Sequence, residues 1–266
     1  MPSIWITGDT HGDVSRLNSV HFPEQSEMTK DDVVIVCGDF GLIWDYKGEN
    51  KEEKFWLDWL NEKPFTTVFI DGNHECFPRL EALPTKMWCG APVGVARDSV
   101  LHLKRGYVYD IHGIKTFAFG GASSHDTLDG IVNLDGQDAN WKETAKAWVK
   151  EGKRYFRINH VSWWKEEIEQ DLAVYQRGLQ NLAAVNNEVD LIITHCCSND
   201  TCRLIGVEDR DRMTDYLQKI QDTVKYNLWF FGHHHLNRSI TDKQICIYKQ
   251  VLHVYDIREH EEKTAE

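Results

Sequence analysis

Five places in this chain pair a short apolar run with side chains that bind metal ions. Asp9 and His11 follow Ile4–Thr7, Asp39 follows Val33–Val36, Asn73 and His74 follow residues 68–70, His195 follows Leu191–Thr194, and His233 and His235 follow Leu228–Phe231. Carboxylate, imidazole and amide donors together suit Mn, Fe, Zn and related divalent ions without selecting among them. The number and grouping of the donors describe a two-metal site.

Taken singly, most of these signals are weak. Asp9-Thr10-His11 places two donors on alternate residues, which an extended chain would direct at one ion, but a turn or a helix cap uses the same residue types. Asp39, between Gly38 and Phe40-Gly41, reads equally as a turn residue. Asn73-His74 sets a neutral carbonyl donor beside a group that titrates near physiological pH, and an Asn-stabilised turn is the plain alternative. His233-His234-His235 is internal, and in an extended chain His233 and His235 would share a side while His234 points away. The conjunction is stronger than the parts, because each motif closes its own apolar run.

Those runs are the elements that must position the donors. All five are short and rich in β-branched or aromatic residues, and three are followed at once by Gly8, Asp71 or Gly232, as expected of buried strands. Ligands in open α/β sheets collect beyond the carboxyl ends of the strands, so the five runs can bring seven donors to one place. Residues 49–62 read as a helix, with Phe55/Trp59 and Trp56/Leu60 paired at a spacing of four, which makes the strands on either side parallel neighbours. A second helix is expected over 164–185, with Ile168, Leu172, Tyr175, Leu179 and Leu182 as its core stripe. Residues 100–120 and 245–257 look like a second sheet, and the charged stretch 258–266 is expected to fray.

The ordered set Gly8-Asp9-Thr10-His11-Gly12, Gly38-Asp39-Phe40-Gly41, Gly72-Asn73-His74-Glu75, Thr194-His195 and Gly232-His233-His234-His235 resembles the calcineurin-like metallophosphoesterases, small bacterial and phage members in particular. The resemblance runs from about Ser3 to His235. It implies an α/β fold of two packed mixed sheets flanked by helices, a four-layer αββα sandwich, within a single domain over 1–266 that carries an insertion at about 121–185. It implies two divalent ions, with Mn favoured and Fe, Zn, Ni or Co as alternatives. One ion would be held by Asp9, His11, Asp39 and His235, the other by Asp39, Asn73, His195 and His233, so that Asp39 bridges. A hydroxide between the ions would attack phosphorus, and His74 would protonate or stabilise the leaving oxygen. The implied activity is hydrolysis of phosphate esters, with phosphodiesters of nucleotides or other small molecules first, phosphomonoesters including phosphoproteins second, and an inactive binding scaffold as the rival from another class.

The sequence departs from protein phosphatases of that superfamily at the second motif. They continue Gly-Asp-x-x-Asp-Arg-Gly, whereas this chain reads Gly38-Asp39-Phe40-Gly41-Leu42-Ile43-Trp44-Asp45. The missing arginine favours the phosphodiesterase reading unless another, Arg79 or Arg105, grips phosphate. Gly120-Gly121-Ala122-Ser123-Ser124-His125-Asp126 is either a wall of the site, with His125 or Asp126 reaching substrate, or a glycine-permitted turn. Trp163 and Trp164 are expected in the core, with stacking on a nucleobase as the functional alternative.

Composition narrows the setting. The chain has 266 residues, 27% of them charged, and a net charge of −12, which opposes extended nucleic-acid binding and attraction to an anionic membrane while leaving room for a small phosphorylated substrate at a cationic metal pocket. No apolar stretch reaches the ~18 to 20 residues needed to span a bilayer, and the start lacks a basic region before an apolar one, so a cytoplasmic location is expected. Seven cysteines without a Cys-x-x-Cys pair fit reduced thiols. Cys196 and Cys197 follow a candidate ligand, but adjacent side chains project differently, and they are read as small buried thiols.

Overall fold

The computed structural model describes residues 2–133, 140–208 and 210–254. Along the chain these form β1 (Ile4–Thr7), β2 (Val33–Val36), α1 (Lys51–Asn61), β3 (Thr66–Phe69), α2 (Phe77–Glu81), β4 (Thr85–Trp88), β5 (Ala91–Arg97), β6 (Val100–Leu103), β7 (Tyr107–Ile111) and β8 (Ile114–Phe119). There follow β9 (Gly130–Val132), α3 (Trp141–Lys150), β10 (Phe156–Ile158), α4 (Leu172–Ala184), β11 (Leu191–Thr194), α5 (Asn199–Ile205), α6 (Arg212–Thr223), β12 (Leu228–Phe231), β13 (Arg238–Ser239), β14 (Gln244–Cys246) and β15 (Val251–His253).

Two mixed sheets carry the fold. The first runs β15-β1-β2-β3-β6-β5-β4 and the second β13-β14-β12-β11-β8-β7, with β9 and β10 a separate parallel pair. β1, β2, β3 and β6 are mutually parallel, as are β8, β11, β12 and β14, so within each sheet the carboxyl ends of these strands gather at one edge. Alternation along the strands sorts the side chains into layers. Ile4, Ile6, Val33 and Ile35 share one buried cluster with Leu191, Ile193, Leu228 and Phe230 of the other sheet. Val34, Val36 and Phe69 face the opposite way, toward Leu57 and Leu60 of α1. Ile192, Trp229 and Phe231 join Leu182 of α4 and Met213, Leu217 and Ile220 of α6. The result is helices, sheet, sheet, helices, the four-layer arrangement implied by the resemblance.

α1 begins at a capping box: the Asn50 side chain accepts from the amides of Glu52 and Glu53, both at 2.9 Å, while the Glu53 carboxylate accepts from the Asn50 amide at 3.0 Å. The other expected helix is shorter than its periodicity suggests. Asp171 caps α4 by accepting from Ala173 N at 2.8 Å, and Ile168 stays extended after a 3₁₀ turn at Lys165–Glu167, so Leu172 lies exposed instead of on the core stripe. The two later β-rich regions do not make one sheet. β6 and β15 join the first sheet and β7, β8 and β14 the second, because each region turns between strands that feed different layers. The stretch 258–266 and residues 255–257 lie outside the described residues. Among the described residues no helix is long and apolar enough to cross a membrane.

Candidate metal centre

The five motif-bearing strands are divided between the sheets, β1, β2 and β3 in one and β11 and β12 in the other. The loops beyond their carboxyl ends meet, so the site lies where two sheet edges converge and not along one. Four of the residues there, His11, Asp39, His233 and His235, have φ between 45° and 64°, a left-handed conformation that non-glycine residues adopt at a cost and that clusters at functional sites. The donors of the Asp9 and His233 motifs therefore converge through tight turns, not through the extended geometry that their spacing suggests.

All seven sequence-predicted donors and His74 come together. Asp9 is buried and its Oδ2 lies 3.2 Å from His235 Nε2 and 3.9 Å from His11 Nε2, while His11 Nε2 and His235 Nε2 face each other at 2.9 Å. Asp39 divides its two oxygens: Oδ2 lies 3.7 Å from His11 Nδ1 and 3.9 Å from His74 Nε2, and Oδ1 lies 3.3 Å from His195 Nε2. Asn73 Oδ1 lies 3.2 Å from the same His195 nitrogen. The His233 ring packs 5.0 Å from that of His195, centroid to centroid.

Surrounding groups hold these donors in place, as they do around metal ligands generally. His195 Nδ1 donates to the Cys37 carbonyl at 2.8 Å, leaving Nε2 directed at Asp39 and Asn73. Asn73 Nδ2 donates to Ser124 Oγ at 3.2 Å, and Ser124 Oγ donates to the buried Glu167, which turns the Asn73 carbonyl oxygen inward. The Asp39 turn is held by Glu75, whose Oε1 accepts from Phe40 N at 2.7 Å, and Asp39 Oδ1 itself accepts from the amides of Asn73 and His74, both at 2.8 Å. A Cβ on Gly38 would sit 2.2 Å from His195 Nδ1, so the glycine is what lets one sheet's loop approach the other's ligand.

The electrostatics are those of a cation site. Burial opposes the charge on Asp39, yet the imidazoles of His195, His74 and His11 hold its carboxyl well below the usual carboxylate range. His195 is opposed by burial in the same way, but Asp39 and Asp9 raise it to about 10. Two buried carboxylates thus demand positive charge at the points where imidazole nitrogens converge. The mixed imidazole, carboxylate and amide donors gathered here are of the kind that bind divalent ions.

The profile of the family described as calcineurin-like phosphoesterase matches residues 2–237. The chain belongs to this family. The family is described as one of phosphoesterases. Among curated proteins, the chain is 32% identical over 98 residues to a lariat debranching enzyme A of Xenopus laevis and 29% identical over 96 residues to a lariat debranching enzyme of Danio rerio. The matches cover 32% and 31% of this chain but only 18% and 17% of those proteins.

Neither arginine singled out in the sequence faces the candidate donor cluster. Arg79 pairs with Glu53 at 2.9 Å and also donates to the Asp45 carbonyl, and the buried Arg105 pairs with Asp71 at 2.5 Å. Arg157, on β10, is the arginine that arrives. Its Nη2 lies 3.0 Å from His74 Nε2 and its guanidinium pairs with Asp126. Burial foremost, with Arg157 adding to it, brings His74 down to about 4 against the pull of Asp39. The loop after β8 does reach the site: His125 Nε2 lies 3.1 Å from His233 Nε2, and Gly121 has a φ of 93°, so the wall and the glycine-permitted turn are one structure. Trp164 is buried edge-on against Trp44 at 5.7 Å and cannot stack a base. Trp44 itself tilts over His74 at 5.5 Å. Sequence reading missed Arg157, Trp44, Arg16, which donates to the Asp9 carbonyl at 2.8 Å, and Tyr248, stacked on His235 at 4.3 Å. None of the four lies in a motif, and only the position of Trp44, a few residues after Asp39, could have drawn attention.

Proposed function

We propose that this chain is a phosphodiesterase acting on a nucleotide or other small phosphodiester, with two divalent ions, manganese foremost, at the centre formed by the Asp9, Asp39, Asn73, His195 and His233 loops. Asp9, His11, Asp39 and His235 would hold one ion and Asp39, Asn73, His195 and His233 the other. The observation that carries this reading is the division of the Asp39 carboxylate, one oxygen toward His11 and His74 and the other toward His195. When bound, such a pair of ions acidifies water and neutralises charge on phosphoryl oxygens.

The protein's own groups do the rest. Arg157 would grip a phosphoryl oxygen with charge-assisted hydrogen bonds, supplying the cation that the second motif lacks. Engaging phosphate would draw its Nη2 away from His74, whose imidazole then faces the leaving oxygen. Trp44 closes one side of the cleft and limits water around His74. Partial similarity to lariat debranching enzymes supports the diester preference. The second reading, a phosphomonoesterase, is favoured by Arg157, since a guanidinium beside two ions suits a dianion. Reduced thiols and an acidic surface support a cytoplasmic setting and a small substrate.

The deciding experiment compares aryl phosphodiester and phosphomonoester hydrolysis with added Mn or chelator, in wild type, Asp39→Ala and His74→Ala. Diester turnover that needs metal and is lost in both variants is the expected outcome. Monoester preference establishes the second reading, and no turnover with any metal defeats both for these substrates.

A further inference from the structure

Beyond the dinuclear centre, a second set of donors meets behind the His195 and His233 loops. Cys196, Cys202 and His234 offer ligand atoms that all lie within 4.8 Å of one another. Cys197 Sγ lies 3.4 Å from Cys202 Sγ and 3.7 Å from His234 Nε2. The three cysteines are buried and His234 is half-buried. Adjacent cysteines here do not diverge as an extended chain would make them. The chain turns at Ser198, which caps α5 by accepting from Thr201 N at 3.2 Å, and Cys202 N donates back to the Ser198 carbonyl at 2.8 Å. That turn returns Cys202 onto the Cys196-Cys197 pair. His234 comes from the other loop, between His233 and His235.

We propose that Cys196, Cys197, Cys202 and His234 form a closed Cys₃His site for one zinc ion, separate from the two catalytic ions. A tetrahedral zinc with Zn–S distances of about 2.3 Å sets its sulfurs about 3.8 Å apart, and the Cys197–Cys202 sulfur separation of 3.4 Å falls a few tenths of an ångström short of that, with the His234 nitrogen 3.7 Å from the Cys197 sulfur. Three sulfurs and an imidazole make the soft donor set that selects zinc over manganese or magnesium, whereas the neighbouring centre offers only oxygen and nitrogen. Four protein donors leave no open position, which is the character of a structural site. Zinc there would cross-link the loop bearing His195 to the loop bearing His233 and His235, fixing ligands of the catalytic ions from behind. Binding deprotonates the three thiols.

The test is the metal content and cobalt spectrum of the full-length purified protein. After a chelator wash that removes manganese and abolishes turnover, elemental analysis should find one zinc per chain in wild type and in Cys89→Ser, and none in Cys202→Ser. Should Cys202→Ser fail to fold, cobalt exchange into wild type still decides, because only a thiolate site gives intense sulfur-to-cobalt charge-transfer absorption and the oxygen and nitrogen centre cannot. Absence of that absorption, zinc content unchanged in a folded Cys202→Ser, or a Cys197–Cys202 disulfide in freshly purified protein would each overturn the assignment.

Discussion

Arg157 Nη2 lies 3.0 Å from His74 Nε2, so the guanidinium donates to the imidazole that stands over the Asp39 turn. On the proposed function, a cation there would clamp a phosphoryl group. Replacing it by alanine removes charge-assisted hydrogen bonds to substrate, and KM should rise about ten- to a hundredfold. Arg157→Lys should recover part of the loss, since lysine keeps the charge but not the fork. Steady-state kinetics on the preferred aryl ester checks this, and an unchanged KM in Arg157→Ala would remove Arg157 from substrate binding.

Ser124 and Glu167 act through Asn73. Ser124→Ala frees the Asn73 amide to rotate, and affinity for one of the two ions should fall about 10- to 100-fold. Calorimetric titration of metal into the stripped protein should show two classes of site where the wild type is tighter. Equal titration curves would mean that Asn73 is oriented by other groups.

Metal binding should release protons. Asp39 and Asp9 raise His195 to about 10, so without metal it carries a proton at neutral pH that a cation must displace. Affinity therefore increases with pH up to that value. Titrations in buffers of different ionisation enthalpy measure the release directly, and a binding enthalpy independent of buffer would contradict it.

Away from the site, burial opposes the charge on Asp71, but Arg105 and His102 hold its carboxyl well below the usual range. The unfolded chain then binds the proton first as pH falls, so this contribution to stability is whole at neutral pH and is lost below the ordinary carboxylate value of about 4. Asp71→Asn strands a buried guanidinium and should cost about 3–5 kcal/mol at neutral pH. Urea unfolding should show the gap to wild type narrowing in acid.

Trp164 is core. Trp164→Ala should lower stability by about 3–5 kcal/mol while leaving KM for nucleotide substrates near the wild-type value. A large KM change in a variant that is still folded would restore the stacking role.

The fold class was legible in the chain itself, and candidate donors could be named there, because both rest on local patterns. Four of the five motif-bearing strands run over the same residues expected from their apolar runs, and β3 begins two residues earlier. The donors follow directly because strand ends are where an α/β sheet turns. Other features depend on contacts between residues far apart in sequence, which no local pattern encodes. Assignment of β6 and β15 to one sheet and β7, β8 and β14 to the other was decided by packing between layers. Left-handed turns, not extended strands, aim His11, His233 and His235. Arg157 reaches His74 across 83 positions, and Cys202 meets His234 because the loops beyond the paired strands β11 and β12 emerge side by side, juxtapositions that exist only once the chain has folded.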